Sequence, residues 1–300
     1  MKTDSDFLKD IGWKRIVISS NAELCKKNSC VSVKTDDTLK MIPIGQIDIL
    51  IIESEQVSIT TSLMTFLVSN GVRIVFCDCK HNPYYETVSY TENTYSPERL
   101  KKQIDWNENQ KQIVWNRIVE NKIRNQSCFL KIIDSKNYLL LNQAADDLSI
   151  NNTVELEAEA AKLYFHSLFG KNFKRRTDNS INAALNYGYS ILLSSINRLI
   201  VYFGYNTSLG INHHNGKNYF NLSCDLIEPF RPFVDKIVYE NQNHDFNKEY
   251  KKKLINIGNE KIAYNGHITT LDIALELYIE SVLKSLNTNS VFEEVVGFAE

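Results

Sequence analysis

Four side chains in the second half of the chain could together bind a divalent metal ion. His213, Asp225 and Glu228 lie in the single stretch 209–235, and Glu157 lies upstream of it. Carboxylate oxygens combined with an imidazole suit a hard or intermediate cation such as Mg²⁺ or Mn²⁺. Such an ion polarises a phosphodiester and lowers the pKa of an attacking hydroxyl. These residue types therefore predict metal-dependent phosphate chemistry.

The spacing of the two later carboxylates indicates how they are presented. Asp225 and Glu228 are three residues apart, so on a helix both side chains project from one face. Pro229 disfavours a regular helix at Glu228, and we expect a kink there. His213 is followed by His214, so the residues alone leave open which imidazole is a ligand, and a lone histidine is more often a hydrogen-bonded structural residue.

Glu157 lies on a predicted helix over residues 154–169. Glu157, Ala161 and Tyr164 follow i, i+4, i+7 spacing, which places the carboxylate on a stripe of small and aromatic residues that normally faces a core. An inward acid needs a partner. The structural alternative is an acid near a helix N-terminus that complements the helix dipole.

The helix that follows opens with residues 182–189. Asn182, Asn186 and Tyr189 lie near one another on it, as buried amides and a phenol. They could orient a metal ligand or hold a neighbouring helix, and the structural role is favoured.

Any contact with DNA must come from local basic clusters, because the net charge of the chain is −2. One cluster directly follows the Glu157 helix, and it consists of Lys171, Lys174, Arg175 and Arg176. A solvated surface is the alternative for this cluster. Arg231, one turn beyond Glu228, could pair with a phosphate or with a carboxylate, and pairing within the protein is favoured.

Composition and periodicity predict an α+β protein of two domains. The 300 residues are 43% hydrophobic and 23% charged, which allows ordinary buried cores. Short β-branched segments alternate with polar turns up to about residue 80; the predicted strands are 16–18, 30–33, 40–44, 48–52 and 72–76, with a helix at 62–69. We expect a small β-rich N-terminal domain over 1–90, a linker over 82–100 and a larger, all-α catalytic domain over 97–300. Residues 142–153 are predicted to form a polar link inside that second domain.

The sequence also predicts a cytoplasmic protein without a membrane segment. No apolar run approaches the roughly 18 residues of a membrane helix, and residues 1–6 are acidic rather than signal-like. Six cysteines in a chain of this length fit reduced thiols better than a disulfide framework. Cys77, Cys79 and His81 could contribute to a zinc site, but a strand end leading into a turn is favoured.

Four motifs in order resemble one known family. They are residues 157–165 (EAEAAKLYF), 182–189 (NAALNYGY), 209–213 (LGINH) and 225–232 (DLIEPFRP). Together they resemble the CRISPR-associated spacer-acquisition integrase and endonuclease family, in the type II branch that works beside a single large effector nuclease. The resemblance covers residues 12–287, and Ala158 stands where the family pattern has glycine.

The resemblance implies a fold, partners and a reaction. It implies an N-terminal β domain that forms a homodimer, an α-helical catalytic domain, and a small ferredoxin-like CRISPR adaptation partner, with the effector nuclease and an accessory adaptation protein as further partners. The implied reaction inserts double-stranded DNA fragments into repeat DNA by 3′-hydroxyl attack. Glu157, His213 and Glu228 would be the Mg²⁺ or Mn²⁺ ligands. The implied surrounding or auxiliary residues are Asp225, Asn182, Asn186 and Tyr164.

Two other functions are compatible with the same residues. A general metal-dependent DNA repair nuclease would use the same ligands, with water in place of a DNA hydroxyl as the nucleophile. A non-catalytic helical DNA-binding assembly subunit would use the acids as surface charges.

Overall fold

The chain divides into two compact units. The computed structural model describes residues 14–36, 38–77, 83–87, 89, 97–148 and 153–299. Contacts separate residues 1–92 from residues 93–300. The dividing point lies within the segment 82–100, which the sequence predicts to be a linker. Residues 1–13 lie outside the described part of the chain, as do Cys79 and His81, two of the candidate zinc ligands.

In its described residues, the first unit consists of two four-stranded sheets and one helix. Its elements are β1 (Lys14–Ile18), β2 (Ala22–Lys27), β3 (Cys30–Lys34), β4 (Leu39–Pro43), β5 (Ile47–Ile52), β6 (Val57–Ile59), α1 (Thr61–Ser69), β7 (Arg73–Cys77) and β8 (Pro83–Glu86). One sheet has the order β1-β5-β7-β8, in which β5 pairs in parallel with β1 and β7, and β8 is antiparallel to β7. The other has the order β4-β3-β2-β6, in which only β2 and β6 pair in parallel.

Local sequence explains the central elements of this unit. The run Ile47–Ile52 is apolar except for Asp48 and pairs with a strand on each side, as buried strands of a parallel sheet usually do. The side chain of Thr60 caps α1 by accepting a hydrogen bond from the Leu63 amide at 3.3 Å. Leu63 and Leu67 on α1 are fully buried in the core, which also contains Leu24 from β2.

The predicted strands of this unit are all present, but the sequence analysis missed three others. These are β2, β6 and β8. Part of the expected linker, Pro83–Glu86, is therefore a sheet strand instead. Proline is tolerated there because it begins an edge strand, where its missing N–H is not needed.

The second unit is mostly helical and is built around one long helix. Its helices are α2 (Pro97–Ile104), α3 (Glu108–Ile132), α4 (Tyr138–Asp147), α5 (Thr153–Phe169), α6 (Ser180–Tyr202), α7 (Asn221–Leu226), α8 (Arg231–Glu240), α9 (Lys248–Ile255) and α10 (Leu271–Thr288). Short 3-10 turns occupy Glu228–Phe230 and Ile257–Asn259. Helix α3 is about 37 Å long and contacts α4, α5, α8 and α10. The Asn107 side chain caps its first turn by accepting from two amides.

Two expectations for this unit are wrong. The polar link expected at 142–153 is partly helical, because Leu141 and Ala145 are buried and extend α4 to Asp147. The unit is also not all α, since β9 (Lys261–Tyr264), β10 (His267–Thr270) and β11 (Val296–Phe298) form an antiparallel sheet in the order β10-β9-β11. The missed signal was an Asn-Gly pair between two short strands, which is a strong hairpin signature.

No helix in the described ranges is long and apolar enough to cross a membrane.

The β9–β10 turn gives a test of this fold. Asn265 and Gly266 both have positive φ, 48° and 79°. Gly266→Ala should destabilise the second unit by about 1 kcal/mol, because an L-residue is disfavoured in the left-handed region. Urea unfolding followed by circular dichroism measures this. Gly216→Ala is the control, since its added Cβ meets nothing within 4 Å and its φ is not positive; equal effects of both substitutions would contradict the assignment.

Candidate active site

Three charged side chains from three elements meet in the second unit. Glu157 lies in the first turns of α5, Lys122 lies on α3, and Glu228 begins the 3-10 turn between α7 and α8. Lys122 Nζ lies 2.7 Å from Glu157 Oε1 and 2.6 Å from Glu228 Oε2. The side chain of Lys122 is 10% exposed, that of Glu157 is 24% exposed and that of Glu228 is 8% exposed. The ammonium therefore bridges two carboxylates in a place that is mostly shielded from water.

The break in the helix at Pro229 places Glu228. Helix α7 ends at Leu226, a 3-10 turn follows, and α8 begins at Arg231, which confirms the predicted kink. Asn125 on α3 donates from Nδ2 to the Pro229 carbonyl at 2.9 Å and ties the turn to the long helix. Arg231 Nε donates to Glu228 Oε1 at 2.8 Å, so each oxygen of this carboxylate has a cation beside it.

These cations keep Glu228 ionised. Burial alone would raise the pKa of Glu228, but the charges of Arg231 and Lys122 outweigh burial and lower this pKa to about 2. Burial alone would likewise lower the pKa of Lys122, but the charges of Glu228 and Glu157 outweigh it, and this pKa is raised. Glu228 and Lys122 are therefore both charged at neutral pH.

Asp225 organises the neighbouring loop. Its carboxylate is fully buried and accepts backbone hydrogen bonds from Ile211 at 2.6 Å, Asn212 at 3.1 Å and His213 at 3.1 Å. Gly210 is required beside it, because an added Cβ would lie 2.4 Å from the His213 carbonyl oxygen and 2.8 Å from Asp225 Oδ2. The requirement for glycine at position 210 is therefore steric, because the loop approaches α7 closely.

The His213 ring is oriented by the same carboxylate. Its Nδ1 lies 2.6 Å from Asp225 Oδ1, and its ring packs edge-on against Trp115 at 5.9 Å between centroids. The hydrogen bond to Asp225 raises the pKa of His213, and the nearby charges of Glu228 and Glu157 act in the same direction. In the neutral tautomer with the proton on Nδ1, the lone pair on Nε2 is available to a cation.

The donor set has the chemistry that Mg²⁺ or Mn²⁺ requires. Glu157 and Glu228 supply carboxylate oxygens, and His213 supplies an imidazole nitrogen with its opposite nitrogen held by a carboxylate. As the described residues stand, no three His, Cys, Asp or Glu side chains are grouped closely enough to share one ion. The space between the two glutamates is instead filled by the Lys122 ammonium. Glu157, Glu228 and His213 are thus of the right chemical types to bind the ion. The Lys122 ammonium lies between the two glutamates.

Asn182 and Asn186 hold a basic loop. Their Oδ1 atoms accept from the Arg175 guanidinium at 2.6 and 3.1 Å, and Asn182 Nδ2 donates to the carbonyls of Lys174 and Thr177 at 2.8 and 2.9 Å. The observed bonds of these two amides thus fix the loop before α6. Their role in orienting a metal ligand stays a prediction.

Tyr189 joins this loop to the site. The Arg231 and Arg175 guanidinium carbons lie 4.6 and 5.4 Å from its ring centroid, and its hydroxyl donates to Asp235 on α8. The fully buried Tyr164, predicted to lie near the metal ligands, lies beside the same Asp235 carboxylate. Tyr189 therefore holds the neighbouring helix α8, one of the roles that the sequence predicts for it.

The basic cluster lies at the other end of α5 from Glu157. The Lys171, Lys174 and Arg176 side chains are exposed, whereas Arg175 is half-buried against Asn182. Twelve residues separate Glu157 from the last residue of α5, which is about 18 Å along a helix. The exposed members of the cluster thus follow the end of α5 that is remote from Glu157, whereas Arg175 lies against the same Tyr189 ring as Arg231, which binds Glu228.

Sequence reasoning missed Lys122. It lies on the buried face of α3, one turn after Ile118 and Val119 and one turn before the buried amides of Asn125 and Gln126. A lysine on an inward stripe requires buried acids opposite it, by the same argument that singled out Glu157. That argument applied to Lys122 would have predicted its pairing.

Solved structures define the fold class. A Cas1 protein from Thermotoga maritima superposes with a TM-score of 0.78 at 17% identity, covering 93% of this chain and 99% of the other. A casposase bound to integration product superposes with a TM-score of 0.75 at 17% identity, covering 93% and 92%. The chain has the mixed α/β fold of these proteins, a strand-rich part followed by a largely helical part.

The sequence comparisons give the family. The family model described as CRISPR associated protein Cas1 matches residues 16–256, and the chain belongs to this family. The CRISPR-associated endonuclease Cas1 of Neisseria meningitidis serogroup C (strain 8013) is 31% identical over 229 residues, 75% of each chain. A second relative, endonuclease Cas1 1 of Francisella tularensis subsp. novicida (strain U112), is 27% identical over 268 residues, 78% of this chain and 83% of its own. The resemblance carried by the four motifs is confirmed.

The His213–Asp225 pair predicts a titration change. Asp225→Asn should lower the pKa of His213 towards its ordinary value, because the charged acceptor that raises it becomes a neutral amide. NMR titration of the imidazole protons measures this pKa, with the His213 signal assigned by its loss in His213→Gln. An unchanged pKa in a folded Asp225→Asn protein would contradict the pairing.

The buried Asp235 predicts a pH dependence of stability. Burial raises its pKa from the ordinary 3.8 to about 6, although the Tyr189 hydrogen bond opposes the shift. A raised pKa gives stability that is complete below pH 3.8 and is lost as pH rises through 6. Relative to Asp235→Asn, the unfolding free energy of the wild type should fall by about 2 kcal/mol as the pH rises from 4 to 7.

Chemical unfolding of both proteins across this pH range measures the difference. Other titrating groups are common to both proteins and cancel in the difference. A constant difference across the range would show that Asp235 titrates normally.

Proposed function

We propose that this chain is the DNA integrase and endonuclease of CRISPR adaptation, with Glu157, His213 and Glu228 as its divalent-metal ligands. One observation carries the site assignment: two carboxylates converge from separate elements, and an imidazole is oriented beside them by the buried Asp225. Such convergence of hard donors favours a metal site for phosphate chemistry over the alternative in which these acids are only surface charges.

The residues divide the chemical tasks among themselves. Bound Mg²⁺ or Mn²⁺ would supply Lewis acidity toward a phosphodiester and a lowered pKa for the attacking hydroxyl. Asp225 keeps the His213 proton on Nδ1, which leaves Nε2 as a donor atom. Arg231 keeps Glu228 ionised and in place, and Asn125 fixes the turn that carries it.

The substrates follow from the family and from the basic loop. The superposed casposase is bound to integration product, and a Cas6-RT-Cas1–Cas2 complex also superposes, with a TM-score of 0.71. By analogy, this chain would insert double-stranded DNA fragments into repeat DNA by 3′-hydroxyl attack. Exposed Lys171, Lys174 and Arg176 would contact phosphates. Arg231 is engaged with Glu228 and would contribute mainly through that carboxylate.

The assembly is part of the same proposal. We expect a homodimer formed through the β-rich domain, residues 1–90, with the helical domain, residues 97–300, carrying the site. A small ferredoxin-like adaptation protein would be the direct partner, and the type II effector nuclease and an accessory adaptation protein would act with it in the cytoplasm.

The two adjacent histidines give a matched test of the site. His213→Ala should reduce Mn²⁺-dependent strand transfer by about a hundredfold or more, because loss of one ligand misplaces the phosphate and an error of about 1 Å alone costs that much. DNA affinity should change little, since it comes chiefly from basic side chains. The assay is integration of a labelled DNA fragment into a repeat-containing plasmid with the small partner present.

His214→Ala is the control. His214 is exposed and lines a separate cavity beside Lys111 and Tyr219, so its loss should be mild. A His213→Ala protein that integrates DNA at a near-normal rate under limiting Mn²⁺ would overturn the ligand assignment. Activity that yields only cleaved DNA, with or without the partner, would favour the repair-nuclease alternative.

A further inference from the structure

The Lys122 ammonium lies between the two carboxylates proposed to hold a metal ion. Its Nζ is 2.7 Å from Glu157 Oε1 and 2.6 Å from Glu228 Oε2. These are short, charge-assisted contacts, and a cation seated on the same two oxygens would have to displace them. The juxtaposition places a cationic side chain of the protein where the divalent ion would bind.

We propose that Lys122 is an internal counter-cation that competes with the divalent ion and sets the metal affinity of the site. This inference rests on the ligand set of the proposed function. With the ammonium in place, the two glutamates are neutralised and held together without metal. Metal loading requires Lys122 to release at least one carboxylate oxygen.

The charge balance shows why the competition is strong. Glu157 and Glu228 carry two negative charges, and Lys122 and Arg231 carry two positive charges within 2.8 Å of them. A divalent ion would bring the cluster to an excess of two positive charges in a shielded region, where repulsion is weakly screened. Moving Lys122 away relieves part of this repulsion.

The Lys122 side chain can change its position, whereas the Arg231 side chain is held by its neighbours. Its ammonium ends a flexible four-carbon stem, and it can change partners without moving helix α3. Arg231 lies against the Tyr189 ring, 4.6 Å from its centroid, and binds Glu228 through Nε. The Glu157 side chain is 24% exposed, so an ion can reach the cluster from solvent on that side.

Mn²⁺ binding to purified variants tests the proposal. At pH 8, where proton competition is small, free Mn²⁺ is measured by electron paramagnetic resonance for wild type and Lys122→Met. We expect Lys122→Met to bind Mn²⁺ at least tenfold more tightly, and Lys122→Arg, which keeps a bulky cation, to bind no more tightly than wild type. Equal or weaker binding by a folded Lys122→Met protein would overturn the proposal.

Lys111→Met is the matched control. Lys111 lies on the same helix, and its side chain is similarly buried, at 12% exposure. Its Nζ lies 2.9 Å from Glu108 Oε1, but Glu108 is 80% exposed and is not one of the proposed metal ligands. Its replacement should leave Mn²⁺ affinity unchanged. A tenfold gain in Lys111→Met as well would mean that Mn²⁺ responds to general surface charge, which would also overturn the proposal.

Glu157→Gln, alone and combined with Lys122→Met, separates this inference from the proposed function. Weaker Mn²⁺ binding in both backgrounds supports the ligand set whether or not Lys122 competes. Unchanged binding in both would overturn the ligand set itself. Failure of Lys122→Met alone to bind more tightly would overturn only the role of Lys122.

Wild-type protein provides a measurement that needs no substitution. The Lys122 amine is buried, so acetylation followed by mass spectrometry should label it slowly without metal. Saturating Mn²⁺ should increase Lys122 labelling severalfold relative to Lys111, because the displaced ammonium becomes accessible. Unchanged labelling at a Mn²⁺ concentration that saturates the site would show that the ion binds without displacing Lys122.

Discussion

The arrangement of the second unit depends on keeping acidic side chains together in a shielded place. Glu157 and Glu228 come from elements far apart in sequence, and their mutual repulsion would separate them without a cation between them. Lys122, carried by the long helix α3, supplies that cation at 2.7 and 2.6 Å. Buried ion pairs add little net stability, because desolvation offsets attraction, but removing one partner leaves an uncompensated buried charge. Here Lys122 lets Glu157 and Glu228 lie together in a shielded place.

A second constraint fixes the imidazole and the helix break around this cluster. Asp225 is buried and accepts three backbone amides of the loop, so the loop cannot move without leaving a charge unpaired. Pro229 interrupts the helix and Asn125 satisfies its carbonyl, so the turn that carries Glu228 is rigid although it is not α-helical. Gly188 lets α6 approach α8 closely, since an added Cβ would lie 2.4 Å from Val234.

Contacts run without a gap from the basic loop to the carboxylates. Arg175 and Arg231 lie against the Tyr189 ring, Arg231 binds Glu228, and Glu228 meets Lys122. The loop that we expect to contact DNA phosphates is therefore joined to the site by side chains that are themselves buried or half-buried. Such a connection gives a physical route by which nucleic-acid contact and site geometry could influence each other, which fits an enzyme that must hold DNA while it acts on one phosphodiester.

The sequence alone determined the helix break at Pro229, most strands of the first unit and the family, because these depend on residue type and on spacing along one element. It also supplied the donor residues of the proposed metal site. The sequence further contained the Asn265-Gly266 pair that is typical of a β-hairpin, although the hairpin was not predicted. Only the tertiary structure decided that Lys122 lies between Glu157 and Glu228, that Asn182 and Asn186 bind Arg175, and that Leu141 and Ala145 extend α4. Periodicity shows which face of a helix is inward, but which side chain of another element it meets is decided by packing between segments distant in sequence.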